Sequence, residues 1–110
     1  MKLFIPVEQR AEAVAMLRTV QGRLEICSDY LGSWIQERQH PRSHIIYAEH
    51  WNSDKAMYGH IRSSLYRRVL AVIDFSSRAP EISFYFVTQT KGMELIEAVR
   101  SEAQNPVQDD

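Results

Sequence analysis

Two segments of this chain combine strand-forming residues with apolar side chains on both faces, and this pattern restricts the folds open to it. In residues 44–51 one face holds Ile45, Tyr47, Glu49 and Trp51, and the other holds Ile46, Ala48 and His50. In residues 82–88 one face holds Ile82, Phe84 and Phe86, and the other holds Tyr85 and Val87. Because successive side chains of a strand point to opposite faces, a sheet built from these strands needs cover on both sides.

The predicted elements run in the order strand, helix, strand, strand, helix, strand, with an added helix at the end. The strands are predicted over residues 2–5, the second half of 24–38, 44–51 and 82–88, and the helices over 8–20, 52–62, 65–73 and 93–99. Gly22 is predicted to end the first helix, and Gly32 to mark a β-bulge or a close approach of the backbone. This order predicts an α+β protein with an antiparallel sheet and the ferredoxin-like βαββαβ topology.

The apolar character of the second face of such a sheet predicts that another copy of the chain covers it. In this topology both crossover helices pack on one face, and in a monomer the other face is ordinarily polar. An apolar face of this size exceeds what soluble monomers normally expose, so we expect a two-fold homodimer, with its sheets facing each other as in a dimeric α+β barrel. The alternative is that the terminal helix at 93–99 folds back and covers the face within one chain.

Length and charge set further limits. The 110 residues suffice for one domain, predicted over 1–104, with a polar tail at 105–110 that we expect to be disordered. Thirteen Lys and Arg residues against fourteen Asp and Glu give a net charge of −1, so no excess of positive charge favours nucleic acid or an anionic membrane. No stretch is long and apolar enough to span a bilayer, and we expect a cytoplasmic protein.

The residue types that commonly form phosphate, nucleophile and metal sites show no recognisable spacing. The chain has no Gly-rich phosphate loop and no GxSxG elbow, and its four histidines lack a metal-ligand spacing. Cys27 is the single cysteine, which excludes an intramolecular disulfide and a cysteine-rich zinc site. We therefore expect no metal site, and a buried, inert thiol at Cys27.

The stretch from Glu49 to His60 carries the sharpest pattern in the chain, E-x-W-x-S-x-x-A-x-x-x-H. It runs from the end of a strand through a helix cap onto a helix, so that Glu49 and Trp51 share a sheet face and His60 lies on the helix that follows. The pattern resembles the signature of the antibiotic biosynthesis monooxygenase domain family, whose members are dimeric α+β barrels. The order of elements resembles that family over residues 2–88, and residues 62–66 resemble its continuation.

The resemblance implies a monooxygenase that uses O₂ without flavin, haem or metal. Family members with known activity oxidise electron-rich aromatics such as hydroxyanthrones and quinols, so the implied ligands of the homodimer are a small aromatic substrate and O₂. His60, Glu49 and Trp51 would be the catalytic residues, with His60 or Glu49 handling protons, because histidine ordinarily titrates near neutral pH. The substrate-binding residues would be Tyr47, Tyr66 and Tyr85.

Other interpretations of the same residues stay open. Trp51 is as compatible with a hydrophobic core, and His60 can bond to Glu49 for structural reasons alone. The chain would then be a non-catalytic member of the fold that binds a small ligand or acts in a stress response, or an isomerase or decarboxylase acting on a small keto acid. Haem-degrading relatives carry a Trp where this chain has His60 and a haem-ligating His where it has Leu70, which argues against haem.

Overall fold

The computed structural model describes residues 1–103, and the tail predicted at 105–110 lies outside the described residues. The elements are β1 (Lys2–Leu3), α1 (Val7–Leu24), β2 (Tyr30–Arg38), β3 (His44–Trp51), α2 (Asp54–Arg62), α3 (Tyr66–Asp74) and α4 (Met93–Ala103). The predicted α+β class with an antiparallel sheet is confirmed. Within residues 1–103, no helix has the length and apolarity needed to cross a membrane.

The sheet has three strands in the order β1-β3-β2, with both pairs antiparallel. In its register Ile45 lies opposite Leu3 on one side, and Tyr47 lies opposite Ile35 on the other. The predicted bulge is confirmed, because the β2–β3 register shifts between Tyr30 and Gly32, and Gly32 has a φ of 143°. Glycine adopts this conformation without the steric cost that a Cβ atom brings.

The core lies between one face of the sheet and the helices α1 and α3. Ile45 and Tyr47 are almost fully buried there against a stripe of α1 that includes Ala13 and Leu17. Tyr66 and Val69 of α3 join a second cluster at the other end of the helix pair. The predicted apolar face of the first helix is confirmed, and of the two predicted faces of residues 44–51 the one with Ile45 and Tyr47 meets the helices.

The first helix is longer than the sequence predicts. Gly22 lies inside α1 without a positive φ, and the helix ends at Leu24. Leu24 is 2% exposed and continues the buried stripe of Leu17 and Val20 by another turn. Most helical stability in proteins comes from packing an apolar face, so this burial outweighs the tendency of glycine to end a helix.

The strand predicted over residues 82–88 is wrong. Glu81 forms one bridge with Lys2, and the residues that follow are not part of a strand. A strand needs a neighbouring backbone for its hydrogen bonds, and β1 offers only the two residues Lys2–Leu3. The strand-forming side chains therefore stay exposed, with Tyr85 at 87% and Val87 at 73%.

We call residues 82–103 the arm, and its helix α4 does not cover the sheet. Met93, Leu95, Ile96 and Val99 remain between 46% and 65% exposed. Trp34 of β2 is 51% exposed as well. The alternative in which the terminal helix covers the open face within one chain is therefore wrong.

Candidate functional site

Glu49 lies at the centre of a hydrogen-bonded group of side chains at the end of β3. The Tyr47 hydroxyl donates to Glu49 Oε2 at 2.5 Å, and His60 Nε2 lies 3.0 Å from the same oxygen. Trp51 Nε1 donates to Glu49 Oε1 at 3.1 Å. One carboxylate therefore joins three aromatic or heteroaromatic side chains that come from β3 and α2.

Local structure explains how these four side chains meet. Tyr47, Glu49 and Trp51 occupy alternate positions of β3 and so project from the same face of the strand. Ser53 then caps α2, because its hydroxyl accepts a hydrogen bond from the Ala56 backbone N–H at 3.1 Å. The helix starts at once and brings His60 back over the strand that precedes it.

Two aromatic rings hold His60 in place. The ring of Trp51 lies 5.0 Å from the His60 ring, and the ring of Tyr66 meets it edge-on at 5.1 Å, both measured between centroids. His60 is buried, with 6% of its surface exposed. Its orientation toward Glu49 is thus fixed by packing as well as by the hydrogen bond.

The environment of Glu49 favours its ionised form. Burial alone would raise the pKa of this carboxyl, because it removes water from the charge. Hydrogen bonds from His60, Tyr47 and Trp51 outweigh burial and hold the pKa of Glu49 below its ordinary value. At neutral pH the side chain is therefore a carboxylate, which accepts hydrogen bonds and donates none.

The two tyrosines beside Glu49 are kept protonated. Burial, followed by the charge of Glu49, raises the pKa of Tyr47 far above its ordinary value. The same two causes, in the same order, raise the pKa of Tyr66. Both hydroxyls therefore stay hydrogen-bond donors over the whole physiological range of pH.

A cavity of about 930 Å³ opens next to this group. Its walls are β3 from Tyr47 onward, Met57 and Ile61 of α2, Trp34 of β2, and the arm from Ile82 to Thr90. It lies next to β3, past the N-terminal end of β1. Met1 there bonds with Tyr47, and among residues 1–103 no strand pairs with the following residues of β3 on that side. The short first strand thus leaves room for the cavity between β3 and the arm.

The structure brings five of the six predicted site residues to this cavity. Glu49, Trp51, Tyr47, Tyr66 and Tyr85 line it. His60 lies behind Glu49 and is not among the lining residues, so it reaches the cavity only through the carboxylate.

Several apolar lining residues, among them Met57, Ile61 and Trp34, were not predicted to belong to a site. Met57 and Ile61 are one helical turn apart, a spacing that indicates a shared face but not what the face meets. Trp34 lies opposite Ala48 on the sheet. Its place in the cavity follows from this pairing, which the sequence alone does not give.

The hydrogen bonding of Glu49 leaves room for one more donor. A carboxylate has about four acceptor positions, two on each oxygen. Oε2 accepts from Tyr47 and His60, while Oε1 accepts only from Trp51. A ligand hydroxyl in the cavity therefore has one position on Oε1 to which it can donate.

Two other sequence predictions concern metal and thiol chemistry. Among residues 1–103, no group of three or more His, Cys, Asp or Glu side chains is arranged to hold a metal ion. The prediction of a buried thiol is wrong, because Cys27 is exposed in the connection between α1 and β2. Cys27 lies after the buried stripe of α1 has ended at Leu24, so no packing covers it.

No protein-family model matches the chain, and no match was found among curated proteins or among solved structures. The resemblance of residues 49–60 to a monooxygenase signature therefore stays a prediction. What the site can do has to be argued from its geometry and chemistry.

Proposed function

We propose that this protein is a cofactor-independent monooxygenase that oxidises a quinol or polycyclic aromatic phenol with O₂. The observation that carries the proposal is the partly buried carboxylate of Glu49, which has one acceptor position left and lines a cavity rich in aromatic side chains. The motif from Glu49 to His60 supports the same chemistry through its resemblance to antibiotic biosynthesis monooxygenases.

The proposed role of Glu49 is to accept a proton from the substrate. A phenolic hydroxyl that donates to Oε1 gains electron density as its proton moves toward the carboxylate, and an ionised electron-rich ring can pass an electron to O₂ directly. For a hydroxyanthrone, the reacting ring carbon loses two hydrogens and gains one oxygen atom, and the second oxygen atom leaves as water. His60, Tyr47 and Trp51 stabilise the carboxylate in the position that receives the proton.

The cavity has the size and lining that such a substrate needs. Its volume of about 930 Å³ lies near the upper end of ligand pockets, which span ~300–1,000 Å³. Trp51, on the same sheet face as Glu49, and Phe84 of the arm offer flat apolar surfaces on which a fused ring system can stack.

We further propose that the protein works as a homodimer of the dimeric α+β barrel type, with the arm of each copy packed on the other. The radius of gyration is 19.1 Å, whereas a compact domain of about 100 residues has ~13 Å. Phe84, Tyr85 and Phe86 of the arm are each at least half exposed. Aromatic side chains bury ~150–250 Å² each, so a second copy gives this surface the cover that a single chain lacks.

The ferredoxin-like topology is part of the same proposal. The observed order β1-β3-β2 has the antiparallel pairing of that fold, and the bridge between Lys2 and Glu81 sets the start of the arm beside β1. In the dimer, residues 82–88 would gain the neighbouring backbone that β1 is too short to supply.

A second candidate function is binding of a small ligand without catalysis. It is favoured by the depressed pKa of Glu49, because a carboxylate stabilised by three donors is a weak base. In this case a phenol would bind to Oε1 and stay protonated. The two candidates share the cavity and differ in whether O₂ is consumed.

Oxygen uptake separates the two candidates. The chain, freed of metal by dialysis against a chelator, is mixed with a panel of naphthoquinols and anthrones. We expect uptake by the wild type, a loss of about 100-fold or more in Glu49→Gln, and full uptake in Glu12→Gln, whose side chain is exposed on α1. Ligand binding without uptake by the wild type would establish the non-catalytic candidate. Equal uptake by Glu49→Gln and wild type would overturn the proposed role of Glu49.

Sedimentation tests the dimer. We expect a dimer at micromolar concentration for the wild type and a monomer for the double variant Phe84→Lys with Phe86→Lys. Ile26→Lys is the matched control, because Ile26 is 92% exposed outside the arm and should leave the dimer intact. A stable monomeric wild type would contradict the proposal.

A further inference from the structure

A second, smaller cavity lies at the other end of β3 and is rich in arginine. It has a volume of about 230 Å³, and its lining includes Arg10, Arg42 and Arg78. These residues come from the first turn of α1, the connection between β2 and β3, and the loop after α3. This cavity lies near His44 at the start of β3, whereas the cavity beside Glu49 lies near its end at Trp51. A strand rises ~3.3 Å per residue, so the two cavities are well separated.

Arg10 is a buried cation with an unused donor. It is 8% exposed, and one of its terminal nitrogens donates to the Ile5 carbonyl at 2.9 Å. Its Nε is the one buried side-chain nitrogen or oxygen within residues 1–103 that has no hydrogen-bond partner. Because Nε is enclosed by protein atoms, Arg10 meets the cavity through other atoms of its side chain.

The start of α1 adds donors to the same cavity. Pro6 precedes the helix and Val7 begins it, and both line the cavity. No side chain caps this end of the 18-residue helix. The Gln9 N–H donates to the Pro6 carbonyl at 3.0 Å, which leaves the N–H groups of Val7 and Glu8 as the free backbone donors of this turn. The helix dipole makes this end attractive to anions.

The positive charges around this cavity lack carboxylate partners. Within the described part of the chain, the one ion pair closer than 4 Å is that of His60 with Glu49, so no carboxylate neutralises Arg10, Arg42 or Arg78. Lys2 and Arg78 add to the positive field, and both lie near the Phe4 ring, at 5.7 and 5.1 Å from its centroid. The nearest acids along the chain are the exposed side chains of Glu8 and Glu81.

We propose that this cavity binds a small oxyanion, namely phosphate or the phosphate group of a small phosphorylated molecule. Arg10 supplies a largely buried guanidinium group, and the exposed guanidinium groups of Arg42 and Arg78 supply further donors from the rim. Arginine is well suited to phosphate because its planar group donates two parallel hydrogen bonds. The volume is below the ~300 Å³ at which pockets for drug-sized ligands begin, which fits an anion and not an aromatic substrate.

Calorimetric titration of the full chain with inorganic phosphate tests the proposal, at an ionic strength held constant with NaCl. We expect saturable binding by the wild type, weakened about tenfold or more in Arg10→Lys and in the double variant Arg42→Gln with Arg78→Gln. The double variant changes only exposed side chains and should keep its fold. It therefore still tests the proposal if Arg10→Lys fails to fold. Arg68→Gln is the control, because Arg68 is exposed on α3 and does not line the cavity.

A second titration with glycerol phosphate distinguishes the source of the anion. Tighter binding of the ester than of phosphate identifies a phosphorylated small molecule, and weaker binding identifies free phosphate. The proposal is overturned if wild type shows no saturable binding at millimolar phosphate, or if Arg68→Gln weakens binding as much as the double variant does. Because the two cavities lie at opposite ends of β3, this result is independent of oxygen uptake at Glu49.

Discussion

His60 Nε2 lies 3.0 Å from Glu49 Oε2, yet only Glu49 faces the cavity. The two residues are 11 positions apart and are joined by the turn that leads from β3 into α2. Any effect of His60 on a ligand therefore passes through the carboxylate. In the proposed reaction His60 is a positioning residue, and Glu49 is the group that meets the substrate.

Replacing His60 with Phe should shift the pH dependence of oxygen uptake. The variant removes a hydrogen bond that lowers the pKa of Glu49, so this pKa rises and the carboxylate is lost at a higher pH than in the wild type. The acid limb of the kcat/KM profile should move to higher pH, and kcat should fall about tenfold, as expected for the loss of one charge-assisted hydrogen bond.

His60→Gln is the matched control, because its amide can still donate to Glu49 Oε2. We expect it to restore most of the rate and to return the acid limb toward its wild-type position. If Phe and Gln variants have the same profile as the wild type, His60 acts on packing alone.

Glu49→Gln should make the protein less sensitive to acid. The pKa of Glu49 is lower in the folded chain than in the unfolded chain, so its contribution to stability is present above the unfolded pKa and is lost as the pH falls through the folded pKa. Urea unfolding at pH 7 and below about pH 5 should therefore show a smaller drop in the variant than in the wild type.

The same variant should be less stable than the wild type at pH 7. A neutral amide is a weaker acceptor than a carboxylate for Tyr47, Trp51 and His60, and hydrogen bonds to charged groups contribute ~1.5–3 kcal/mol. Glu12→Gln, with an exposed side chain, serves as the control for loss of one negative charge. An equal pH response in both variants would contradict the role given to Glu49.

Much of the fold follows from side-chain periodicity. The spacing of Ala13, Leu17 and Val20 predicts the buried face of α1, and the alternation along residues 44–51 predicts the two faces of β3. These patterns succeed because each depends on burial along one element. The strand predicted at 82–88 fails because strand formation depends on a neighbour, and β1 supplies just two residues.

The candidate site divides in the same way. The contact of Glu49 with Trp51 follows from a strand period of two, and that of Glu49 with His60 follows from a helix that starts directly after the strand. That His60 lies behind Glu49 depends on how α2 is rotated against the sheet, which is set by tertiary packing on Tyr66. The cluster of Arg10 with distant arginines could not be predicted either, because three separate segments form it.

Ser53→Ala should loosen the first turn of α2 and so the support of His60. The Ser53 hydroxyl accepts a hydrogen bond from the Ala56 backbone N–H, and loss of such a cap costs ~1 kcal/mol. Thermal unfolding of Ser53→Ala should therefore occur at a lower temperature than that of Ser64→Ala, whose exposed side chain caps no helix. Equal melting temperatures would show that the cap contributes nothing.

Gly32→Ala should destabilise the sheet at the bulge that leads β2 into register with Trp51. Gly32 has a φ of 143°, a conformation that residues with a Cβ atom rarely adopt, although nothing lies within 4 Å of the added methyl group. The expected loss of about 1–3 kcal/mol is therefore backbone strain and not a clash. Gly22→Ala is the matched control, because Gly22 lies inside α1 with open space around it and should gain ~0.5–1 kcal/mol. A lower urea midpoint in Gly32→Ala and a higher one in Gly22→Ala would show that the backbone at Gly32 requires glycine. A higher urea midpoint in both variants would contradict the positive φ of Gly32.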